Sequence, residues 1–320
     1  MSKAAKIWLI VAGSLVLAGA AIFICMLSLM GWRFEGFSTT KYETNSHEIT
    51  EEFDSVSIST DTAKVTLIPT DGDKCYIECY EQENASHTVA VREGTLFVEL
   101  NDTRKWYEHI GIGYSSPKVS VYIPRGEYGE LCVSSHTGNI DIPDAFKFKS
   151  IGITASTGDV NNRASAYETV RIKTTTGGIT VENITAAALE LSVSTGNIMV
   201  TNTRCDGNIT VDVSTGKTHL TRVSCNSFIS SGSTGTVYLT DVIASDRFSI
   251  ERSTGDVILE SCDAYEIAIK TDTGDVEGSL LSEKIFITNT DTGDIDVPRG
   301  TSGGVCEITT DTGDIRIYIK

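Results

Sequence analysis

The chain has 320 residues, 43 of them acidic and 26 basic, for a net charge of −17 at pH 7. Such a surface repels phosphate backbones and anionic headgroups, so it points away from nucleic acid and anionic lipid as partners. Eight cysteines and five histidines are scattered, with no CxxC pair and no Cys/His spacing of a zinc site.

In chain order, residues 1–6 form a short tail with Lys3 and Lys6, and residues 7–30 carry no charge. That apolar run is long enough for one transmembrane helix. The positive-inside rule places the tail in the cytoplasm and the rest outside, with Trp32 at the interface and Arg33 and Glu35 on the outer flank. A cleaved signal peptide is the rival reading, because Ala18-Gly19-Ala20 is a small-residue triplet, but the apolar run continues well past it. Residues 31–47 are polar and read as a stalk.

Residues 48–130 read as an irregular β cap. Val56, Ile58, Val65 and Leu67 bracket Asp61-Thr62-Ala63-Lys64, a degenerate copy of the turn that recurs later. Further strand-like runs cover 75–79, 88–91, 96–100 and 119–123, with a hairpin turn expected at Arg92-Glu93-Gly94-Thr95. A loop with Trp106, Tyr107 and Tyr114 precedes the last of these runs.

From residue 131 to 320 one unit repeats. Thr-Gly-X recurs ten times, with glycines at 138, 158, 177, 196, 216, 235, 255, 274, 293 and 313 and intervals of 19 or 20 residues. The position two residues after each glycine is Ile or Val in nine of the ten, with Thr218 as the exception. The position five before is mostly aliphatic, with Ser230 and Thr288 departing. Alternation with β-branched enrichment indicates strands, and glycine suits the tight turn between them. A fixed period of this length predicts an all-β chain: a parallel β-solenoid of about ten rungs, roughly 45–50 Å long at the usual strand spacing. The final run, 315–320, is expected to be an uncapped rung whose open edge could support self-association. Of the ectodomain cysteines, only Cys205 and Cys225 fall at equivalent positions on adjacent rungs, so they are the one pair considered for a disulfide. The histidines, His47, His87, His109, His136 and His219, read as surface or loop residues.

The strand-turn-strand opening at 53–69, the run Val119-Ser120-Val121-Tyr122-Ile123-Pro124 and the serial Ser/Asp-Thr-Gly-Asp turns resemble the bacterial putative-adhesin family of β-strand-repeat proteins. The resemblance covers most of the chain past the apolar run. It implies a repeat architecture with an N-terminal span and brings no catalytic motif. Some members look like envelope-stress or regulatory accessory proteins.

The one constellation of ionisable residues in the repeats is a row of turn carboxylates. Asp272, Asp275, Asp291, Asp294, Asp311 and Asp314 fall on what the sequence order makes three consecutive rungs. Stacked carboxylates are a candidate calcium row, against the plainer reading that Asp before and after Thr-Gly makes good turns. A glycan-active enzyme is the weaker reading. The carboxylates sit at turns where water keeps their pKa ordinary, and no His or Arg joins them. The sequence therefore points to a non-enzymatic, membrane-anchored extracytoplasmic solenoid that binds, adheres or scaffolds at the bacterial surface. Its partner would be a cell-wall component or a membrane protein. The alternative is a regulatory accessory acting on a membrane partner, since the tail is too short to signal alone.

Overall fold

The computed structural model describes residues 2–29, 41–105 and 115–320. Trp32, Arg33, Glu35, Trp106, Tyr107, His109 and Tyr114, singled out above, lie outside the described residues. Helix α1 (Lys3–Leu29) is followed by strands that pair into one continuous sheet. Its stretch Ala5–Leu29 has a mean hydropathy of 2.6 and is long and apolar enough to cross a membrane.

The repeats coil as a parallel solenoid. Ile153, Ile172, Leu191 and Val211 stack in register on successive rungs before the turn. Ile140, Val160, Ile179 and Ile198 do so after it. Both columns are buried, so each β-branched residue packs on its equivalents above and below. The ten turn glycines have φ between 131° and 154°, a region L side chains rarely enter. Close stacking adds a second constraint: a Cβ on Gly216 would fall on the carbonyl oxygen of Gly196.

A second corner uses a different solution. Asn183, Asn202, Arg222, Asp241 and Ser261 have φ of 50–58°. Asn202 donates to Asn183 Oδ1 at 2.9 Å and Arg222 to Asn202 Oδ1 at 2.5 Å, so side-chain hydrogen bonds between rungs compensate the left-handed backbone.

The two ends depart from sequence order. Near the N-terminus the strands are β1 (Tyr42–Ile49), β2 (Ser55–Thr60), β3 (Lys64–Thr70), β4 (Cys75–Gln82), β5 (Ala85–Arg92), β6 (Thr95–Asp102) and β7 (Lys118–Pro124). β2 and β3 form a rung parallel to the Gly138 rung, which bears out the degenerate turn at 61–64. β6 and β7 stack in parallel on the outer side of β2 and β3. Beyond them β5 pairs antiparallel with β6, β4 with β7 and β1 with β4. The turn between β5 and β6 is the expected tight hairpin, with Glu93 and Gly94 both at positive φ.

At the other end the structure corrects the expected order. The Gly274 rung pairs with the Gly313 rung, and the Gly293 rung lies outside that. Strand Ile315–Ile319 is therefore paired on both sides, with Val276–Leu280 and with Ile295–Asp296. The C-terminal rung is not the uncapped one. The open end is presented by residues 284–296, where Ile285, Ile287 and Ile295 are exposed at 41%, 55% and 45%. The physical reason is the better apolar match: both rungs share the turn and the strand spacing, but the Gly313 rung offers Ile308 where the Gly293 rung has Thr288, so the more apolar rung takes the buried slot beside Gly274.

The exceptions Thr218 and Ser230 have a common cause. Arg252 occupies an inward position and is 2% exposed. Its Nη2 donates to Ser230 Oγ at 2.7 Å and to Thr218 Oγ1 at 3.4 Å, and its Nη1 to the Glu251 carbonyl at 2.9 Å. Gly232 leaves room for the guanidinium, since a Cβ there would lie 3.0 Å from Arg252 Nη1. Burial holds this guanidinium well below its ordinary range, at about 10.

Candidate functional site

The turn carboxylates are organised, and differently from their sequence order. Where Asp or Asn follows the turn glycine, its side chain commonly reaches across to the backbone of the neighbouring rung. Asp275 N–H donates to Asp256 Oδ1 at 3.0 Å, Asp314 N–H to Asp275 Oδ1 at 2.8 Å and Asp294 N–H to Asp314 Oδ1 at 2.8 Å. Asn139, Asp159 and Asn197 accept in the same way from Asp159, Gly178 and Lys217. This ladder explains why Asp and Asn recur after the glycine: either offers an oxygen to an otherwise free backbone N–H. The row thus runs Asp275, Asp314, Asp294. Arg316 neutralises part of it, pairing with Asp314 and with Glu277 at 3.0 Å. Asp272, Asp291 and Asp311, before the turn, are exposed.

A groove of about 470 Å³ opens where the chain crosses between the exchanged rungs. Ile243, Tyr265, Glu283, Lys284, Ser302 and Gly303 line part of it. Lys284 is buried beside it, 2.7 Å from Asp263 and 2.6 Å from Ser282 Oγ. Two half-buried ring pairs mark other faces: Tyr76 on Tyr122 at 4.3 Å and His219 on Tyr238 at 4.4 Å between ring centroids.

A buried polar cluster that the sequence reading missed lies inside the cap. Cys79, Glu81 and His87 are all buried, with their ligand-type atoms within 4.8 Å of one another. His87, read above as a surface or loop residue, is 5% exposed and sits in β5. Its Nδ1 lies 2.6 Å from Glu81 Oε2, and its Nε2 lies 2.9 Å from Thr60 Oγ1. Glu81 also accepts from the His87 backbone N–H at 2.7 Å and from Asn45 Nδ2 at 2.8 Å. Burial, reinforced by the Glu81 carboxylate, pushes the Cys79 thiol up to about 12. The only sequence signal was Cys79-x-Glu81 on an alternating strand with His87 just across a turn, and that requires the fold to interpret.

Cys205 and Cys225 do stack on adjacent rungs, but both are free thiols, as are the other six cysteines. Cys205 Sγ contacts the carbonyls of Ala187 and Asn208 at 3.5 and 3.4 Å instead.

Comparison with known proteins supplies a family. The Toastrack DUF4097 family model matches residues 53–213 and 203–320. No curated protein matches the sequence. Similar solved structures include a putative adhesin from Bacteroides fragilis, 14% identical, covering 87% of this chain and 97% of its own, with a TM-score of 0.43. A putative adhesin from Parabacteroides distasonis is 10% identical over 87% of this chain and 98% of its own, with a TM-score of 0.39. A putative lipid binding protein from the same species is 14% identical over 88% and 98%, with a TM-score of 0.36. With one family model matched over both stretches from Phe53 to Lys320, the chain belongs to the Toastrack DUF4097 family.

Proposed function

We propose that this chain is a membrane-anchored, extracytoplasmic solenoid that acts by binding or scaffolding at the bacterial cell surface. The observation that carries the reading is the joining of one exposed apolar helix to a rod of stacked rungs. Such a rod repeats its outward side chains at strand spacing and so offers an extended surface to a polymeric or multivalent ligand. The acidic surface favours a neutral or cationic ligand over nucleic acid. The name that several similar structures bear, adhesin, agrees with this reading. The turn carboxylates keep their proposed second role as a calcium row.

The test is mild crosslinking of the full-length protein in its membrane, followed by affinity capture and mass spectrometry. Recovery of wall material or of the protein alone supports a surface-binding rod. A stoichiometric membrane protein in the eluate would replace this reading with that of a regulatory accessory.

A further inference from the structure

We propose that Cys79, Glu81 and His87 form a site for one transition-metal ion, zinc by preference, that fastens the cap. A thiolate, a carboxylate and an imidazole are a borderline-soft donor set, suited to tetrahedral zinc. Bond lengths of about 2.0–2.3 Å place zinc ligands within about 4 Å of each other. The three ligand atoms here already lie within 4.8 Å, so sub-ångström adjustments bring them onto one ion.

The surroundings match what a bound ion requires. A ligating imidazole is normally held through its other ring nitrogen, and a ligating carboxylate is itself hydrogen-bonded. His87 Nε2 lies 2.9 Å from Thr60 Oγ1, leaving Nδ1 directed at Glu81. Glu81 Oε1 is held by Asn45 at 2.8 Å. The inward face of β1 that supplies Asn45 also carries His47, whose Nε2 is buried without a hydrogen-bond partner.

The position gives the ion a purpose. β4 and β5 pair only at Gln82 and Ala85, after which β4 joins β7 and β1 while β5 joins β6. Cys79 and Glu81 stand on one branch of this fork and His87 on the other. An ion here ties the branches together and, through Asn45, holds down β1, the first described strand after α1. Because the ligands are sealed from solvent, loading is coupled to folding.

The experiment uses the full-length protein produced in cobalt-supplemented medium, so that metal is present while the chain folds. The expected result is one cobalt ion per chain and a thiolate-to-cobalt charge-transfer band. The band should be absent in Cys79→Ser and unchanged in Cys75→Ser, with circular dichroism confirming that both variants fold. Zinc-grown protein should carry one zinc and melt higher than protein grown with chelator. A chain that purifies with no more cobalt than Cys79→Ser overturns the proposal and leaves a closed hydrogen-bond network. A band that survives Cys79→Ser overturns it as well. If Cys79→Ser does not fold, metal content and absorption of His87→Gln decide by the same criteria.

Discussion

Between Gly138 and Gly274 the rungs stack in the order in which they are written, whereas at both ends they do not. At the N-terminal end the rung 55–70 lies between the Gly138 rung and the later strands β6 and β7. At the C-terminal end the Gly313 rung lies between those of Gly274 and Gly293. A period defines the unit and its inward face, while the sequence of units in space is decided by which chain segment occupies each slot. Neighbouring rungs with the same pattern compete for the same slot.

The contrast can be broken most severely by removing the inserted rung. Deletion of 304–320 takes away Cys306, Ile308, Ile315 and Ile317, all buried. At about 1.5–3 kcal/mol per buried side chain the loss is large, and only part of it is recovered when the Gly293 rung settles in the vacated slot, so a markedly lower melting temperature is expected. The order itself is read by crosslinking. Lys270→Cys should form a disulfide with Thr309→Cys, its register partner, and not with Asn289→Cys, one rung further out.

Within the regular region, Gly216→Ala should cost about 3 kcal/mol or more, from strained φ and overlap with the Gly196 carbonyl. Gly152→Ala, on a strand where the nearest atom to a Cβ is 4.0 Å away, should be close to neutral. Chemical denaturation of the pair checks this. Restoring the repeat pattern in the core is expected to stabilise: Thr218→Val with Ser230→Ile and Arg252→Met removes a buried charge and should gain about 1–4 kcal/mol. Arg252→Met alone should gain less, because it leaves two buried hydroxyls without their donor.

Buried thiols make a smaller, pH-dependent contribution. Burial holds Cys225 and Cys306 at about 12 in the folded state, against an ordinary value near 9. The unfolded thiols ionise first, so the contribution is complete below pH 9 and is lost as pH rises towards 12. Each thiol gives a slope of about 1.4 kcal/mol per pH unit in that window. Cys306→Val should flatten the alkaline limb of a stability–pH curve by that amount.

The smallest effect tests the turn ladder. Asp275→Asn keeps an oxygen for the Asp314 N–H and should change stability little, while Asp275→Ala should cost about 1 kcal/mol. Calcium separates the two roles of the row. The ion reading requires a rise in melting temperature at added calcium that disappears in the Asp275→Asn/Asp294→Asn/Asp314→Asn triple variant.

Much of the rod was legible in the sequence because the inward residues repeat with the turn glycine, so rung, face and turn chemistry follow from one-dimensional spacing. Thr218 and Ser230 were visible only as irregularities, and Arg252 drew no notice in the sequence. They become one arrangement when successive rungs are laid in register. The cap cluster was hidden for the same reason. Cys79, Glu81 and His87 meet because a hairpin forks, and no periodicity records a fork. Rung exchange was invisible because the Gly293 and Gly313 repeats share turn and spacing, and the inward Thr288, against Ile308, read as another exception.

That exchange has a consequence for how the molecule is made. Residues 284–297 leave the ribosome before 304–319, yet their lasting neighbours in the rod are those later strands. A nascent chain halted before residue 304 is expected to lay the Gly293 rung directly on the Gly274 rung. Completion is then expected to require strand displacement, with the Gly313 rung replacing the Gly293 rung beside Gly274. The last-made rung thus ends up inside the one made before it, so the rod cannot be completed by simple addition at its open end.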